Sequence, residues 1–212
     1  MTQRPDQTKE SRETVFIVDD DAAICEGLCN LLESVGVRAS HYPSAEAFLD
    51  HVTSESAGCL VLDVRLPGMT GVEFQEKLHH IGIRLPIVFM TAHGDIPMVR
   101  KVMKAGAVEF LTKPFQKEEL LQAVEQAFAI DRTQRAEQNL QGAIRARIDS
   151  LTERERAVMA LVTTGLLNKQ IAAELNLSEI TVKLHRRHVM EKMQAGSLAD
   201  LVKMCERVKR QA

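Results

Sequence analysis

CLVLDVRLPGMTG, residues 59–71, sets the architecture that the rest of the chain follows. Four apolar residues run without alternation into Asp63, and Pro67, Gly68 and Gly71 break the chain before a helical pattern resumes. An unalternated apolar run bounded by turn residues predicts a strand buried on both faces, as in a parallel sheet. Ligands in open α/β sheets bind beyond the carboxyl ends of the strands. Asp63 is therefore a carboxylate held at the rim of an apolar core. On these residues alone, an aspartate that merely caps the next segment is an equal reading.

Working outward, VFIV at 15–18 is a first buried strand ending in Asp19-Asp20-Asp21. A helical pattern follows to about Val35, with Ile24, Leu28, Leu31 and Leu32 on one face, and Gly36 stops it. Residues 37–42 read as a second strand, and Ser44 caps a short helix through about Thr53. Residues 72–80 are helical, 86–90 form a fourth strand ending in Thr91-Ala92, 95–104 are helical, and 107–111 form a fifth strand followed by Lys113-Pro114. Five strands alternating with helices predict an α/β fold with a doubly wound, five-stranded parallel sheet. In the flavodoxin-like order 2-1-3-4-5, strands one and three flank the switch point, and the polar strand ends meet in one pocket.

That pocket has a definite chemistry. Two carboxylates ~4 Å apart repel by about 4 kcal/mol at an effective dielectric near 20. A hard divalent cation relieves this, and Mg²⁺ with its waters suits a few carboxylates plus a phosphate. Lys113 adds a cation and Thr91 a hydroxyl donor. Metal, nucleophilic carboxylate, cation and donor are the parts of a phosphoryl-transfer site.

The 212 residues, 45% of them hydrophobic, suffice for one large or two modest domains. Residues 1–149 carry 16 Lys and Arg against 22 Asp and Glu, whereas 150–212 carry 11 against 7. The basic second part points to nucleic acid. Cys25, Cys29, Cys59 and Cys205 form no CxxC pair and read as reduced thiols. Residues 1–13 lack an apolar signal-peptide core and read as a disordered tail. The longest apolar run, 157–162, is too short to span a membrane. A soluble cytoplasmic protein without a membrane partner is expected, with domains at 14–129 and 150–212 joined by a helical linker at 130–149.

Leu120, Leu121, Val124 and Ala127 belong to the last helix of the first domain, and Leu140, Ile144, Ile148 and Leu151 continue at helical spacing. A long helix with an interruption at Gly142 is expected, either a solvated spacer or a seam with a second copy. Four short helical patterns follow. Thr152 and Glu155 form a capping box that opens the first, and Gly165 ends it. Residues 168–175 are the second, Ser178 caps the third through Met193, and Ser197 caps the fourth. This is a helix-turn-helix layout. Its third helix carries Lys183, Arg186 and Arg187, with Val182, Val189 and Met193 on the buried side. Lys183 and Arg187, four apart, face outward together. By pattern alone, a solvated basic face on an ordinary bundle stays open.

Residues 15–129 resemble the receiver domain of two-component response regulators. The matching residues are Asp19-Asp20 after VFIV, Asp63 in LVLDVRLPGMTG, Thr91 in MTAHGD, and Lys113-Pro114 in FLTKPF. The resemblance implies that Asp63 takes a phosphoryl group from a sensor histidine kinase as an acyl phosphate. It implies that Asp19 or Asp20, Asp63 and the backbone carbonyl of Arg65 ligate Mg²⁺. Thr91 and Lys113 would bind the phosphoryl oxygens, Phe110 would be the aromatic switch, and the Lys113–Pro114 bond would be cis. Catalysis would be limited to self-phosphorylation and slow self-dephosphorylation at Asp63. A haloacid-dehalogenase-like phosphatase would instead need an acid two residues after Asp63, where Arg65 stands. A binding module indifferent to phosphate is opposed by the intact Thr91 and Lys113.

LTERERAVMALVTTGLLNKQIAAELNLSEITVKLHRRHVMEKM, residues 151–193, resembles the LuxR-type helix-turn-helix, an all-α four-helix domain. With the receiver, the whole chain resembles the FixJ/NarL class of response regulator, and GDIPM and EKMQAGSL look FixJ-like. The resemblance implies that Lys183, Leu184 and Arg187 approach base edges in double-stranded DNA, that Thr181 and Lys169 meet phosphate, and that Arg186 belongs to the same surface. Leu167 stands where a small or capping residue is commoner. The last helix, with Leu198, Leu201, Val202 and Cys205, would be a dimer seam formed on phosphorylation, implying paired half-sites. RNA polymerase is a further candidate partner.

Overall fold

The protein is described by a computed structural model over residues 13–92 and 96–209. The tail expected at residues 1–13 lies, but for Glu13, outside the described residues, as do His93, Gly94 and Asp95. Two compact units divide the chain at Gln134 and Arg135.

In the first unit, strands β1 (Thr14–Val18), β2 (Arg38–Tyr42), β3 (Gly58–Asp63), β4 (Ile87–Thr91) and β5 (Glu109–Thr112) form one parallel sheet. Its order is β2-β1-β3-β4-β5, as expected. Helices α1 (Ala22–Ser34), α2 (Ala45–Leu49), α3 (Gly71–His80), α4 (Ile96–Lys104) and α5 (Lys117–Asp149) complete the wound architecture. Both sheet faces are covered, which is why the strands read as continuous apolar runs. Phe16, Val18, Leu60, Leu62, Ile87 and Phe89 pack with Phe48, Phe74, Leu78 and Val102 of α2, α3 and α4. Val15, Ile17, Cys59, Val61, Val88 and Met90 pack with Leu28 and Leu32 of α1 and with Leu120, Val124 and Phe128 of α5.

The register levels the strand ends. Val18 pairs with Leu62, Asp63 with Met90, and Thr91 with Thr112. Asp19, Asp63, Thr91 and Lys113 thus lie within a residue of the same edge. At the opposite edge Gly58 has φ +133, and a Cβ there would lie 1.9 Å from the Thr14 carbonyl oxygen. Its N–H donates to the buried carboxylate of Asp131 on α5 at 2.9 Å.

In the second unit, α6 (Glu153–Val162), α7 (Asn168–Leu175), α8 (Glu179–Met193) and α9 (Leu198–Lys209) surround a core of Val158, Val162, Ile171, Val182, Val189, Met193 and Leu201. Ile144, from the last part of α5, is buried in the same core. The capping box forms: Glu155 N–H donates to the Thr152 hydroxyl at 3.3 Å, and Thr152 N–H to the Glu155 carboxylate at 2.9 Å.

Three expectations change. Helix α5 runs unbroken through Gly142. A glycine inside a helix costs about 1 kcal/mol, and burial of Gln141 and Ile144 beside it outweighs that. Helix α2 stops at Leu49, because His51 and Val52 both turn their N–H groups to the Phe48 carbonyl, which carries Val52 into the core. Strand β5 begins at Glu109, because Ala107 closes the turn out of α4 by donating to the Val102 carbonyl.

Candidate functional site

Two carboxylates and one ammonium meet at the carboxyl edge of the sheet. Lys113 Nζ donates to Asp19 Oδ2 at 2.5 Å and to Asp63 Oδ1 at 2.9 Å. Asp19 and Asp63 are both buried, at 2% and 7% exposure. The other Asp63 oxygen, Oδ2, accepts from the Arg65 N–H at 2.7 Å. Burial alone would push the Lys113 ammonium down. The hydrogen bonds to Asp19 and Asp63, with their charge, outweigh it and hold the pKa above the ordinary lysine value.

The acidic triplet divides its work. Asp19 points inward, and its Oδ1 also accepts from the Asp21 N–H at 2.9 Å. Asp21 caps α1, accepting from Ala23 and Ile24. Asp20 is exposed. Among the described residues no three His, Cys, Asp or Glu side chains gather into a metal-holding group. Of the expected set, Asp19 and Asp63 are buried at the sheet edge, Asp20 is exposed, and the Arg65 carbonyl would be added. Hard oxygens in this small number fit an ion that keeps several of its own waters, as Mg²⁺ does. The placement of Lys113 shows where the site demands positive charge.

Thr91 is buried at the end of β4, and its carbonyl accepts from the Lys113 N–H at 2.8 Å. Phe110 is half-buried on β5 beside the core that contains Phe89, its register partner. Thr91 and Phe110 therefore share a sheet face as diagonal neighbours. The Lys113–Pro114 bond is cis, as the resemblance implies. Behind Asp63 the first residue of α3 must be small: a Cβ on Gly71 would lie 2.7 Å from the Asp63 carbonyl oxygen and 2.9 Å from the Phe89 ring.

In the second unit Lys169, Lys183, Leu184 and Arg187 are exposed, while Val182, Val189 and Met193 are buried as expected. Thr181 is half-buried, its N–H donating to the Ser178 hydroxyl at 3.1 Å. Arg186 does not project freely: its Nη1 donates to Asn168 Oδ1 at 2.7 Å, joining α8 to the start of α7. Arg187 pairs with Glu191 one turn on, at 2.8 Å. Leu167 offers no capping oxygen, so α7 keeps only the reverse bond, from Leu167 N–H to Gln170 at 2.8 Å.

An ion pair between an exposed lysine of α8 and a buried carboxylate of α6 escaped the sequence reading. Lys192 Nζ donates to Glu155 at 2.6 Å, and Glu155 is 4% exposed. That bond, then the Thr152 N–H, pulls the Glu155 carboxyl down to about 2. Beside it, Arg147 of α5 donates to the Met193 carbonyl at the end of α8, at 3.2 Å. No sequence periodicity marks partners so far apart in the chain.

Residues 15–125 match the family model of the response regulator receiver domain, and residues 149–205 that of bacterial regulatory proteins of the luxR family. The chain is a two-component response regulator. Nodulation protein W of Bradyrhizobium diazoefficiens is 49% identical to it over 92% of this chain and 86% of its own length. The regulatory protein FixJ of Rhizobium meliloti is 42% identical, over 90% and 94%. Among solved structures, response regulator StyR superposes with a TM-score of 0.82 at 49% identity, covering 92% of this chain and 99% of that one. Full-length FixJ from B. japonicum gives 0.57 at 39% identity, covering 94% and 98%. This response regulator thus joins a receiver to a LuxR-type DNA-binding domain. Among its described residues no helix is long and apolar enough to cross a membrane.

Proposed function

We propose that this response regulator takes a phosphoryl group on Asp63 from a sensor histidine kinase, and that the phosphorylated form pairs with a second copy and binds specific DNA to regulate transcription in the cytoplasm. The observation that carries this reading is the Lys113 ammonium bridging Asp19 and Asp63 at the sheet edge. An Asp63 carboxylate oxygen bonds to phosphorus as the phosphorus–nitrogen bond of the donor's phosphohistidine breaks, and the electron pair stays on the imidazole. Lys113 then holds a phosphoryl oxygen and keeps its bond to Asp19. Asp63, Asp19 and the Arg65 carbonyl, with Asp20 as the other candidate, would hold Mg²⁺. Such an ion neutralises charge on the phosphoryl oxygens.

The new oxygens attract the Thr91 hydroxyl. Its inward shift opens room along the shared sheet face for the Phe110 ring, which changes the surface of the receiver. A few kcal/mol between the two states suffices for such a switch. In the second domain Lys183, Leu184 and Arg187 approach bases, and Lys169 and Thr181 meet phosphate. Arg186, joined to Asn168 at the start of α7, completes the set of candidate DNA contacts. Helix α9 is the candidate seam of the DNA-bound dimer, and RNA polymerase the candidate next partner.

The test compares DNA binding by the full-length protein with and without beryllofluoride, in parallel with Asp63→Asn. Tighter binding with the mimic, absent in the variant, supports the proposal. Equal binding in every arm refutes it. Thr91→Ala should still label from acetyl phosphate yet lose most of the gain in binding, and an undiminished gain removes Thr91 from the switch.

A further inference from the structure

Helix α8 carries an apolar feature that the core does not use. Ile180 is 80% exposed and Leu184 51% exposed. They are four residues apart and so stack on one face, and Lys183 and Arg187 complete the same stripe. The core residues of the helix, Val182, Val189 and Met193, take the opposite side. Isolated aliphatic side chains on a surface are ordinary. Two adjacent ones, set between cations on the outer face of the second helix of a helix-turn-helix, form a surface of mixed character.

The charge chooses the occupant. Lys183 and Arg187, with exposed Lys169 on α7, give this face the positive charge that draws it to a polyanionic duplex. Between the backbones of duplex DNA, the major groove offers hydrogen-bonding edges and a single apolar group, the C5-methyl of thymine. We infer that Ile180 and Leu184 together read thymine methyl groups, which makes Ile180 a specificity-determining residue of this regulator. Four residues of helix rise span about 6 Å, and stacked base pairs are about 3.4 Å apart. The two side chains therefore address methyl groups about two base-pair steps apart. The inference rests on the proposed DNA-binding role of this face.

The probe is a duplex enriched from a randomised pool by the full-length protein treated with beryllofluoride. Each thymine in turn is replaced by deoxyuridine, which keeps the pairing and removes only the methyl group. The wild-type protein should lose about fourfold in affinity at two positions per half-site, the amount expected for one buried methyl. Ile180→Ala should lose that sensitivity at one of the two positions and keep it at the other. Because Ile180 is so exposed, the substitution leaves the fold intact. If uridine costs the two proteins the same everywhere, or costs neither anything, the inference fails while the DNA-binding role stands. If no sequence is enriched at all, both fail together.

Discussion

Lys113→Met removes the ammonium that Asp19 and Asp63 share and keeps most of the aliphatic volume. Because both carboxylate oxygens touch one nitrogen, at 2.5 and 2.9 Å, they lie within about 5 Å of each other, where unit charges repel by about 3 kcal/mol at an effective dielectric near 20. Lys113 is only 16% exposed on its side chain, so solvent screens little of this. The variant should unfold with about 3 kcal/mol less stability in the first unit when divalent metal is chelated. The chain has one tyrosine and no tryptophan. Tyr42 ends β2, so its fluorescence through a urea titration reports that unit alone. Adding Asp19→Asn should return most of the loss, since an amide no longer repels Asp63. Mg²⁺ should stabilise Lys113→Met more than the parent, because it supplies the charge the variant lacks. If the variant unfolds at the parent's urea concentration, or if Asp19→Asn costs the same with and without Lys113, the electrostatic account of this site is wrong.

Leu167→Ser should stabilise the second unit by about 1 kcal/mol, since the hydroxyl caps α7 and only an exposed side chain is lost; calorimetry checks this. Glu155 is held at about 2 by Lys192, against about 4.3 in an unfolded chain. Its contribution is therefore complete above the unfolded value and disappears as pH falls toward 2. Glu155→Gln should cost about 2 kcal/mol at neutral pH and flatten the acid limb of the second unit's melting profile. An unchanged limb would mean that Lys192 does not govern it. Gly58→Ala should destabilise the receiver by about 3 kcal/mol, because the methyl group meets the Thr14 carbonyl at a φ few side chains adopt; tyrosine fluorescence in urea measures it.

Most of the receiver was legible because its signals are local. A strand covered on both faces has to be apolar throughout, so the polar residues that end β1, β3, β4 and β5 stand out in the sequence, and parallel register makes their ends meet. The separate tasks of Asp19, Asp20 and Asp21 were not legible. Three consecutive acids look alike until the turn into α1 sends one inward, one to solvent and one to the helix cap. Gly142 misled for a related reason: propensity is a weak local term, and the burial of Ile144 overrides it. Asp131 with Gly58 and Lys192 with Glu155 join residues 73 and 37 positions apart, and no periodic pattern announces such pairs.

Helix α5 belongs to two hydrophobic cores at once: Leu120, Val124 and Phe128 serve the first, and Ile144 the second. A fragment boundary drawn at the start of α6 would therefore miss a residue of the second core. An isolated DNA-binding fragment that starts at residue 150 would leave behind Ile144 and the Arg147 bond to Met193, opening a hole against α6 and α8. A piece that begins at Arg135, where the two units divide, keeps the second core whole, whereas one trimmed to residues 149–205 loses Ile144 and Arg147.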